Sequence, residues 1–377
     1  MIDPARLLAD LIREPSITPE LHGVFDVLEA ALAPLGFNCT RVRFEGDGSY
    51  PVDNLFATRG TGGRHLLFAG HTDVVTPGDT TAWSHPPFAA EIVDGTIYGR
   101  GAADMKSGIA AFVAAISRVP DAGTISLAIT NDEEADSVNG TDKLMAWAAE
   151  QGHRFDFAIV GEPSATARVG DSIKVGRRGS LNGQIRVTGT QGHVAYPDKA
   201  NNPLPVAATL LLALSGKLDD GTDHFPPSNL EFTSADVGNA TTNVIPASAL
   251  LRFNVRYNDR WTPETLVEAI EEVIANQDKR NCTVEFTVAG RPSRAFLSDL
   301  GGGVETLIET IARRTGIPPE LSTGGGTSDA RFIADYCPVV EFGLPGPTMH
   351  KVDESIRLSD LEELTELYAR FLGDYLR

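Results

Sequence analysis

Three apolar segments of this chain each run directly into acidic residues or a histidine. Segment 66–70 is followed by His71 and Asp73, segment 126–130 by Glu133 and Glu134, and segment 158–160 by Glu162. Apolar runs of this length, bounded by turn residues, are typical of buried strands. In an open α/β sheet, ligands bind beyond the carboxyl ends of the strands. We therefore expect these polar groups to meet in space, although they are far apart in the sequence.

Strand and helix patterns alternate over most of the chain, which favours an α/β fold with helices covering a sheet. We expect helices over 105–118, 141–150, 304–314 and 359–376. A cap at Thr18-Pro19-Glu20 predicts a further helix, which carries Val24, Leu28, Ala31 and Leu35 at helical spacing. The segments 54–59 and 64–70 flank a glycine-rich turn and are expected to pair as neighbouring strands.

The pattern changes in the middle of the chain. Strand and helix signals between 177 and 290 follow the order β-α-β-β-α-β, which is that of a ferredoxin-like domain. We therefore predict a catalytic domain formed by 1–176 and 291–377, interrupted by an inserted domain at 177–290.

Charge and composition exclude several classes of partner. The 377 residues carry 32 Lys and Arg against 51 Asp and Glu, a net charge of −19. Such a surface repels phosphate backbones, so we expect no nucleic-acid partner. No apolar run approaches the roughly 18 residues of a membrane span, and we expect no membrane partner and no signal peptide. The three cysteines lack a CxxC spacing, which favours free thiols and a cytoplasmic protein.

The residue types at the strand ends indicate a divalent metal site. Imidazole and carboxylate groups without thiolates favour zinc, with manganese or cobalt as substitutes. Asp73 is placed to accept the second ring N–H of His71, as the partners of metal-bound histidines usually do. Since Glu133 and Glu134 project differently, one can bind metal while the other acts as a base toward water.

Eight short motifs follow one another along the chain: HTDVV, GRGAADMK, NDEEADSVNGT, VGEPS, GRRGS, GTQGHVAYP, GGGTSDARF and MHKVDE. Together they resemble the co-catalytic zinc amidohydrolases of the aminoacylase/carboxypeptidase G2 superfamily. The resemblance implies a mixed-sheet, zinc-peptidase-like catalytic domain and an inserted dimerisation domain. It also implies a homodimer that hydrolyses the amide of a small N-acyl amino acid.

The resemblance further implies a role for individual residues at two Zn²⁺ ions. The expected ligands are His71, Asp104 and Glu162 for one ion, and Asp104, Glu134 and His350 for the other. Glu133 would be the general base and acid, and Asp73 would support His71. His193 would come from the other subunit and hydrogen-bond the developing oxyanion.

A further set of residues is expected to contact substrate. They are Arg177, Arg178, Ser180, Asn243, Arg256 and Thr327. Two cations at a predicted domain junction, Arg177 and Arg178, suit an acyl group that carries its own carboxylate. The alternatives are a deacetylase, another N-acyl-amino-acid hydrolase or a dipeptidase of the same superfamily. A non-catalytic member is disfavoured, because every expected ligand and the base are present.

Overall fold

Two units, each with its own main sheet, make up the chain in the computed structural model, which describes residues 1–377. The first unit contains Met1–Val175, Ser298–Ser322 and Ser328–Arg377. The second contains Gly176–Leu297 and Thr323–Thr327. The predicted insertion, 177–290, falls within the second unit.

The helices vary from one turn to five turns in length. They are α1 (Pro4–Arg13), α2 (Val24–Leu32), α3 (Lys106–Ile116), α4 (Thr141–Glu150), α5 (Leu204–Leu214), α6 (Pro263–Ala275), α7 (Gly303–Thr315), α8 (Ala330–Ile333) and α9 (Leu358–Tyr375). Three short 3₁₀ segments lie at Ala33–Leu35, Thr80–Ala82 and Pro197–Lys199. No helix has both the length and the apolar content that crossing a membrane requires.

The strands are numbered in chain order. They are β1 (Asn38–Gly46), β2 (Ser49–Arg59), β3 (His65–His71), β4 (Glu91–Val93), β5 (Thr96–Tyr98), β6 (Thr124–Thr130), β7 (Phe157–Val160), β8 (Ser172–Lys174), β9 (Gly176–Arg177), β10 (Gly179–Thr188), β11 (Gly192–His193), β12 (Gly216–Lys217), β13 (Asn229–Asp236), β14 (Val244–Ile245), β15 (Ser248–Tyr257), β16 (Thr283–Ser293), β17 (Phe296–Leu297), β18 (Glu320–Ser322), β19 (Val339–Glu341) and β20 (Ser355–Arg357).

The first unit is built on a mixed eight-stranded sheet with the order β1-β2-β6-β3-β7-β19-β8-β18. Its central strands β6, β3, β7 and β19 run parallel to one another. Strands β3, β6 and β7 are buried on both faces apart from the first residue of β3, as expected for parallel strands covered by helices. This architecture confirms the predicted mixed α/β fold.

Helix α3 shows how closely the layers of this unit pack. All eleven of its residues are buried, and it lies against α1 and α9. A Cβ atom at Gly108 would lie 2.2 Å from the carbonyl oxygen of Gly161. Only glycine therefore allows α3 to approach the end of β7, where Glu162 follows.

A β-α-β-β-α-β path forms the core of the second unit. Its five-stranded antiparallel sheet has the order β12-β13-β15-β10-β16, with α5 and α6 as the helices. Without the two-residue β12, this is the strand order of a ferredoxin-like sheet. Leu181, Leu210, Val255 and Leu266 are fully buried in its core.

Two local predictions were wrong. Strands β2 and β3 are not neighbours, because β6 lies between them, antiparallel to β2 and parallel to β3. The helix predicted from Thr18-Pro19 begins instead at Val24 after Gly23. The Thr18 hydroxyl does not cap that helix; it donates to Asp73 at 2.7 Å.

Candidate metal centre

Three adjacent parallel strands bring the predicted acidic groups together. His71 is the last residue of β3, and it lies opposite Thr130, the last residue of β6. Glu133 follows β6, and Glu162 follows β7 on the other side of β3. The carboxyl ends of these strands therefore form one edge, at which the side chains described below converge.

One group of polar atoms surrounds the imidazole of His71. Its Nε2 atom lies 3.3 Å from Oδ1 of Asp104 and 3.5 Å from Oε1 of Glu162. All three side chains are buried. These are the three residues expected to hold the first ion.

A second group surrounds the imidazole of His350. Its Nε2 atom lies 3.2 Å from Oδ2 of Asp104 and 3.0 Å from Oε1 of Glu134. Asp104 thus presents one carboxylate oxygen to each imidazole. This is the arrangement that a carboxylate bridging two metal ions requires.

Asp73 supports this site mainly through backbone groups. Its main-chain oxygen lies 2.9 Å from Nδ1 of His71, whereas its carboxylate oxygen lies 3.5 Å from that atom. The main-chain oxygen, rather than the carboxylate we predicted, is therefore the nearer acceptor for the ring N–H. The carboxylate accepts hydrogen bonds from the backbone amides of Glu133 and Glu134 and from the Thr18 hydroxyl.

Burial makes the carboxylates of the site hard to ionise together. Burial raises the pKa of Glu162 to about 8, and the negative charge of Asp104 adds to this effect. Burial also raises the pKa of Glu133 well above 4.5. Burial alone would raise the pKa of Asp104 as well, but hydrogen bonds with His350 and His71 lower it below 3.8.

The surroundings of the two imidazoles favour their charged forms, because hydrogen bonds to carboxylates raise the pKa of each ring. Hydrogen bonds to Asp104 and Glu134 raise the pKa of His350 to about 10. Burial would lower the pKa of His71, but hydrogen bonds with Asp104, Asp73 and Glu162 outweigh it and raise that pKa well above 6.5. Both shifts favour a positively charged imidazole beside ionised carboxylates.

The donor set fits divalent metal ions. Ligand atoms of His71, Glu133 and Glu162 lie within 4.8 Å of one another, and so do those of His71, Asp104 and Glu134. Imidazole nitrogens and carboxylate oxygens without thiolates suit zinc, manganese or cobalt. Cations bound at this place would offset the buried negative charge of the carboxylates.

The predicted substrate arginines have different surroundings in the second unit. Arg177 is buried and donates to the backbone oxygens of Gly326 and Gly324, at 2.9 and 3.3 Å. Arg178 donates to the side-chain oxygen of Asn229 at 3.3 Å, and its buried Nε has no acceptor. Arg177 thus holds the glycine loop that precedes Thr327.

The remaining predicted residues of this unit lie in two places. Ser180 and Arg256 are directly opposite each other on β10 and β15, and the Ser180 hydroxyl accepts from Asn254 at 3.0 Å. His193 and Asn243 are exposed and adjacent, since the amide of Val194 donates to the Asn243 oxygen at 3.1 Å.

Sequence reasoning missed two buried carboxylates, those of Glu354 and Asp329. Glu354, within the MHKVDE motif, is fully buried and accepts hydrogen bonds from the segment that carries Asp104. Asp329, within the GGGTSDARF motif, accepts from the Thr141 hydroxyl at 2.6 Å, and burial raises its pKa to about 6. Their positions inside recognised motifs were the available signal.

Comparison with known proteins agrees with this fold. A relative from Rhodopseudomonas palustris (strain BisA53), named as a succinyl-diaminopimelate desuccinylase, is 52% identical over 99% of this chain and 98% of its own. The M20 metallo-carboxypeptidase Sso-CP2 from Sulfolobus solfataricus superposes with a TM-score of 0.79 at 18% identity, covering 100% of this chain and 99% of its own.

Two further solved structures share the fold. Aminopeptidase PepT from Bacillus cereus ATCC 10987 has a TM-score of 0.78 at 22% identity, covering 100% of both chains. The YXEP protein of Bacillus subtilis, described as a dinuclear metal-binding M20 peptidase, has a TM-score of 0.70 at 16% identity, covering 99% of this chain and 97% of its own. The model of peptidase family M20/M25/M40 matches residues 67–374. The chain is therefore a member of peptidase family M20/M25/M40.

Proposed function

We propose that this chain catalyses the reaction of a succinyl-diaminopimelate desuccinylase. It hydrolyses the amide of N-succinyl-LL-2,6-diaminopimelate to succinate and LL-2,6-diaminopimelate, in lysine and diaminopimelate biosynthesis. The observation that carries this function is the 52% identity, over nearly the full length of both chains, to a relative of that name. The alternative is acetylornithine deacetylase or another N-acyl-amino-acid hydrolase or dipeptidase of the same superfamily.

Two Zn²⁺ ions per subunit are the proposed cofactors, with Co²⁺ or Mn²⁺ as substitutes. His71, Asp104 and Glu162 would hold one ion, and Asp104, Glu134 and His350 the other. The contacts of the two Asp104 oxygens with the two imidazoles support this assignment. Bound there, the ions would supply Lewis acidity toward the amide carbonyl and a water that ionises near neutral pH.

Glu133 is the proposed general base and acid. Its carboxylate takes a proton from the attacking water, and the carboxyl group so formed returns that proton to the departing amine. Burial and the neighbouring charge of Glu162 raise its pKa, which brings it closer to the range in which a carboxyl group both accepts and releases protons near neutral pH. Its backbone amide is held by Asp73, which limits where the Glu133 side chain can reach.

His193 is the proposed donor to the oxyanion that develops on the amide. The amide of Ala195 donates to Nδ1 of His193 at 3.0 Å. In the neutral ring Nδ1 is then the acceptor, so the proton is on Nε2, which is free to donate. The exposed ring suits a residue that completes the site of another subunit.

A homodimer formed through the second unit is the proposed assembly. Strand β13 pairs with β12 only at Leu230 and Asn229, so its remaining residues form an open edge on that side. On α5, Leu204 and Leu212 are exposed, with 78% of Leu212 accessible. A second copy would continue the sheet and cover these leucines.

Subunit exchange tests this assembly. His193→Ala and Glu133→Ala are each expected to be inactive. Mixed and allowed to exchange, they should regain activity, because one site of each heterodimer then carries both residues. Sedimentation should show a dimer, and full activity in a verified monomer would contradict the proposal.

We also propose a cytoplasmic location. It is supported by the proposed biosynthetic reaction and by the three cysteines, Cys39, Cys282 and Cys337, which form no disulfide.

The substrate proposal is tested by measuring kcat/KM on a panel of N-succinyl and N-acetyl diamino acids. Hydrolysis of N-succinyl-LL-2,6-diaminopimelate should be the most efficient, and chelator-treated protein is the control. Preference for N-acetylornithine would favour the deacetylase. That result would leave the proposed metal chemistry standing.

A further inference from the structure

Glu354 is a buried carboxylate with an unusual set of hydrogen-bond donors. It is fully buried, and its side-chain hydrogen-bond partners all lie in one segment, the ligand loop (residues 99–104). Oε1 accepts from the amides of Ala103 and Asp104 at 2.8 and 3.1 Å. Oε2 accepts from the amide of Gly101 at 3.1 Å and from the Arg100 guanidinium at 2.6 Å. Three amides and one cation thus converge on a single carboxylate.

The ligand loop and the segment that carries Glu354 are also connected through backbone pairing of their neighbouring strands. The ligand loop follows β5, and Glu354 precedes β20, which pairs with β5. The amide of Gly99 donates to the main-chain oxygen of Glu354 at 2.8 Å, which extends that pairing by one bond. Glu354 lies four residues after His350, and the ligand loop ends at Asp104.

The same two segments meet again at the metal centre. There the imidazole of His350 lies 3.2 Å from the Asp104 carboxylate. Asp104 is therefore held from two sides by residues of 350–354: its backbone amide by Glu354 and its carboxylate by His350. A displacement of the ligand loop would change the separation of two candidate metal ligands directly.

We propose that Glu354 is a positioning residue for the metal centre, which fixes the backbone of Asp104 at the point where its side chain meets His350. This inference rests on the proposed metal site. Because Asp104 is the expected bridging ligand, loss of its position affects both ions. Groups that orient metal ligands typically change metal affinity by about 10- to 100-fold when mutated.

The chemistry of the site explains why a carboxylate is required. Both oxygens of an ionised carboxylate accept hydrogen bonds. The isosteric glutamine offers one acceptor oxygen and an NH₂ group, which would face amide or guanidinium donors. Glu354→Gln therefore removes two of the four hydrogen bonds while keeping the volume of the side chain. Glu354→Asp keeps the charge but is one methylene too short to reach all four donors.

Metal binding by the purified full chain tests the proposal without reference to turnover. Apparent affinity for Zn²⁺ is measured by competition with a chromophoric chelator, and the visible spectrum of the Co²⁺-loaded protein reports ligand geometry. We expect Glu354→Gln to weaken Zn²⁺ binding about 10- to 100-fold and to change the Co²⁺ spectrum. Glu354→Asp should fall between that variant and the wild type, and it carries the test if the glutamine variant does not fold.

Asp219→Asn is the matched control. The Asp219 carboxylate also accepts four hydrogen bonds, from the amides of Gly221 and Ser228 and the side chains of Asn258 and Trp261. It contacts no candidate ligand, so its loss should lower stability but leave Zn²⁺ affinity unchanged. Wild-type Zn²⁺ affinity in folded Glu354→Gln or Glu354→Asp would overturn this inference but not the proposed metal site. A wild-type chain that binds neither Zn²⁺ nor Co²⁺ would overturn the proposed metal site as well.

Discussion

The carboxylate of Asp73 accepts the backbone amide of Glu133, with a distance of 3.2 Å from the nitrogen to each carboxylate oxygen. The same side chain accepts the amide of Glu134 at 3.1 Å. The main-chain oxygen of Asp73 lies next to Nδ1 of His71. One residue thus orients two candidate metal ligands, His71 and Glu134, and the proposed base, Glu133, which lie at the ends of two different strands.

Asp73→Asn should therefore impair both metal binding and turnover. The amide side chain keeps the shape but replaces one acceptor oxygen with a donor that faces the backbone amides of Glu133 and Glu134. We expect a loss of about 10- to 100-fold in metal affinity or kcat, measured by metal competition and steady-state kinetics. Asp171→Asn is a suitable control, because Asp171 also accepts backbone amides, those of Thr166, Ala167 and Arg168. Equal effects of the two substitutions would argue against a specific role for Asp73.

Glu133→Gln separates the proposed base from the proposed ligands. The substitution removes the proton-transfer group but leaves His71, Asp104, Glu134, Glu162 and His350 in place. We expect metal content close to wild type and a loss of about 10²- to 10⁴-fold in kcat. Metal analysis and kcat on the same preparation check this expectation. Retention of most activity would show that Glu133 is not the base.

The convergence of the polar groups was predictable because it follows from short-range patterns. Buried strands that end in His71, before Glu133 or before Glu162 are visible in the sequence, and parallel neighbours place such ends together. The position of β6 between β2 and β3 was not predictable in this way, because it depends on pairing between distant segments. The role of Glu354 was hidden for another reason: three of its partners are backbone amides, which no side-chain motif reveals.

Removal of metal should lower the stability of the fold. Asp104, Glu134 and Glu162 lie close together, and a bound cation would offset their mutual repulsion. A ligand present at 100 times its Kd stabilises the native state by about 2.7 kcal/mol. We expect the thermal midpoint to fall with a chelator and to recover on addition of Zn²⁺, as measured by calorimetry. His350→Ala should show a smaller Zn²⁺-dependent shift. An identical midpoint with and without metal would contradict the prediction.

Mild acid should destabilise the first unit through two neighbouring histidines, His65 and His153, near the start of β3. Burial lowers the pKa of His65, and the neighbouring His153 adds to this effect; burial also lowers the pKa of His153. Below the ordinary pKa of 6.5, these two histidines therefore bind more protons in the unfolded chain than in the folded chain, so their contribution to the free energy of unfolding falls as the pH falls.

Urea unfolding at pH 7.5 and pH 5.5 checks this expectation. His65→Gln keeps a polar partner for the Ser126 hydroxyl, which lies 2.8 Å from the His65 ring, but it cannot titrate. Its free energy of unfolding should therefore change less between the two pH values than that of the wild type. His224→Gln, at an exposed position, is the control. A pH dependence unchanged by His65→Gln would exclude His65 as its source.

Arg178 and Arg177 should affect substrate selection differently. Arg177 already donates to the backbone oxygens of Gly324 and Gly326. Arg177→Ala should therefore disturb the glycine loop and lower kcat/KM for N-succinyl and N-acetyl substrates alike.

Arg178 has a buried Nε without an acceptor, and a succinyl carboxylate would supply one. Arg178→Ala should therefore reduce kcat/KM for the N-succinyl substrate by about 30- to 150-fold, while weak N-acetyl hydrolysis stays nearly unchanged. Arg178→Lys, which keeps the charge but not the planar pair of donors, should fall between these values. Equal losses on both substrates in Arg178→Ala would assign this arginine to folding rather than to recognition of the succinyl group.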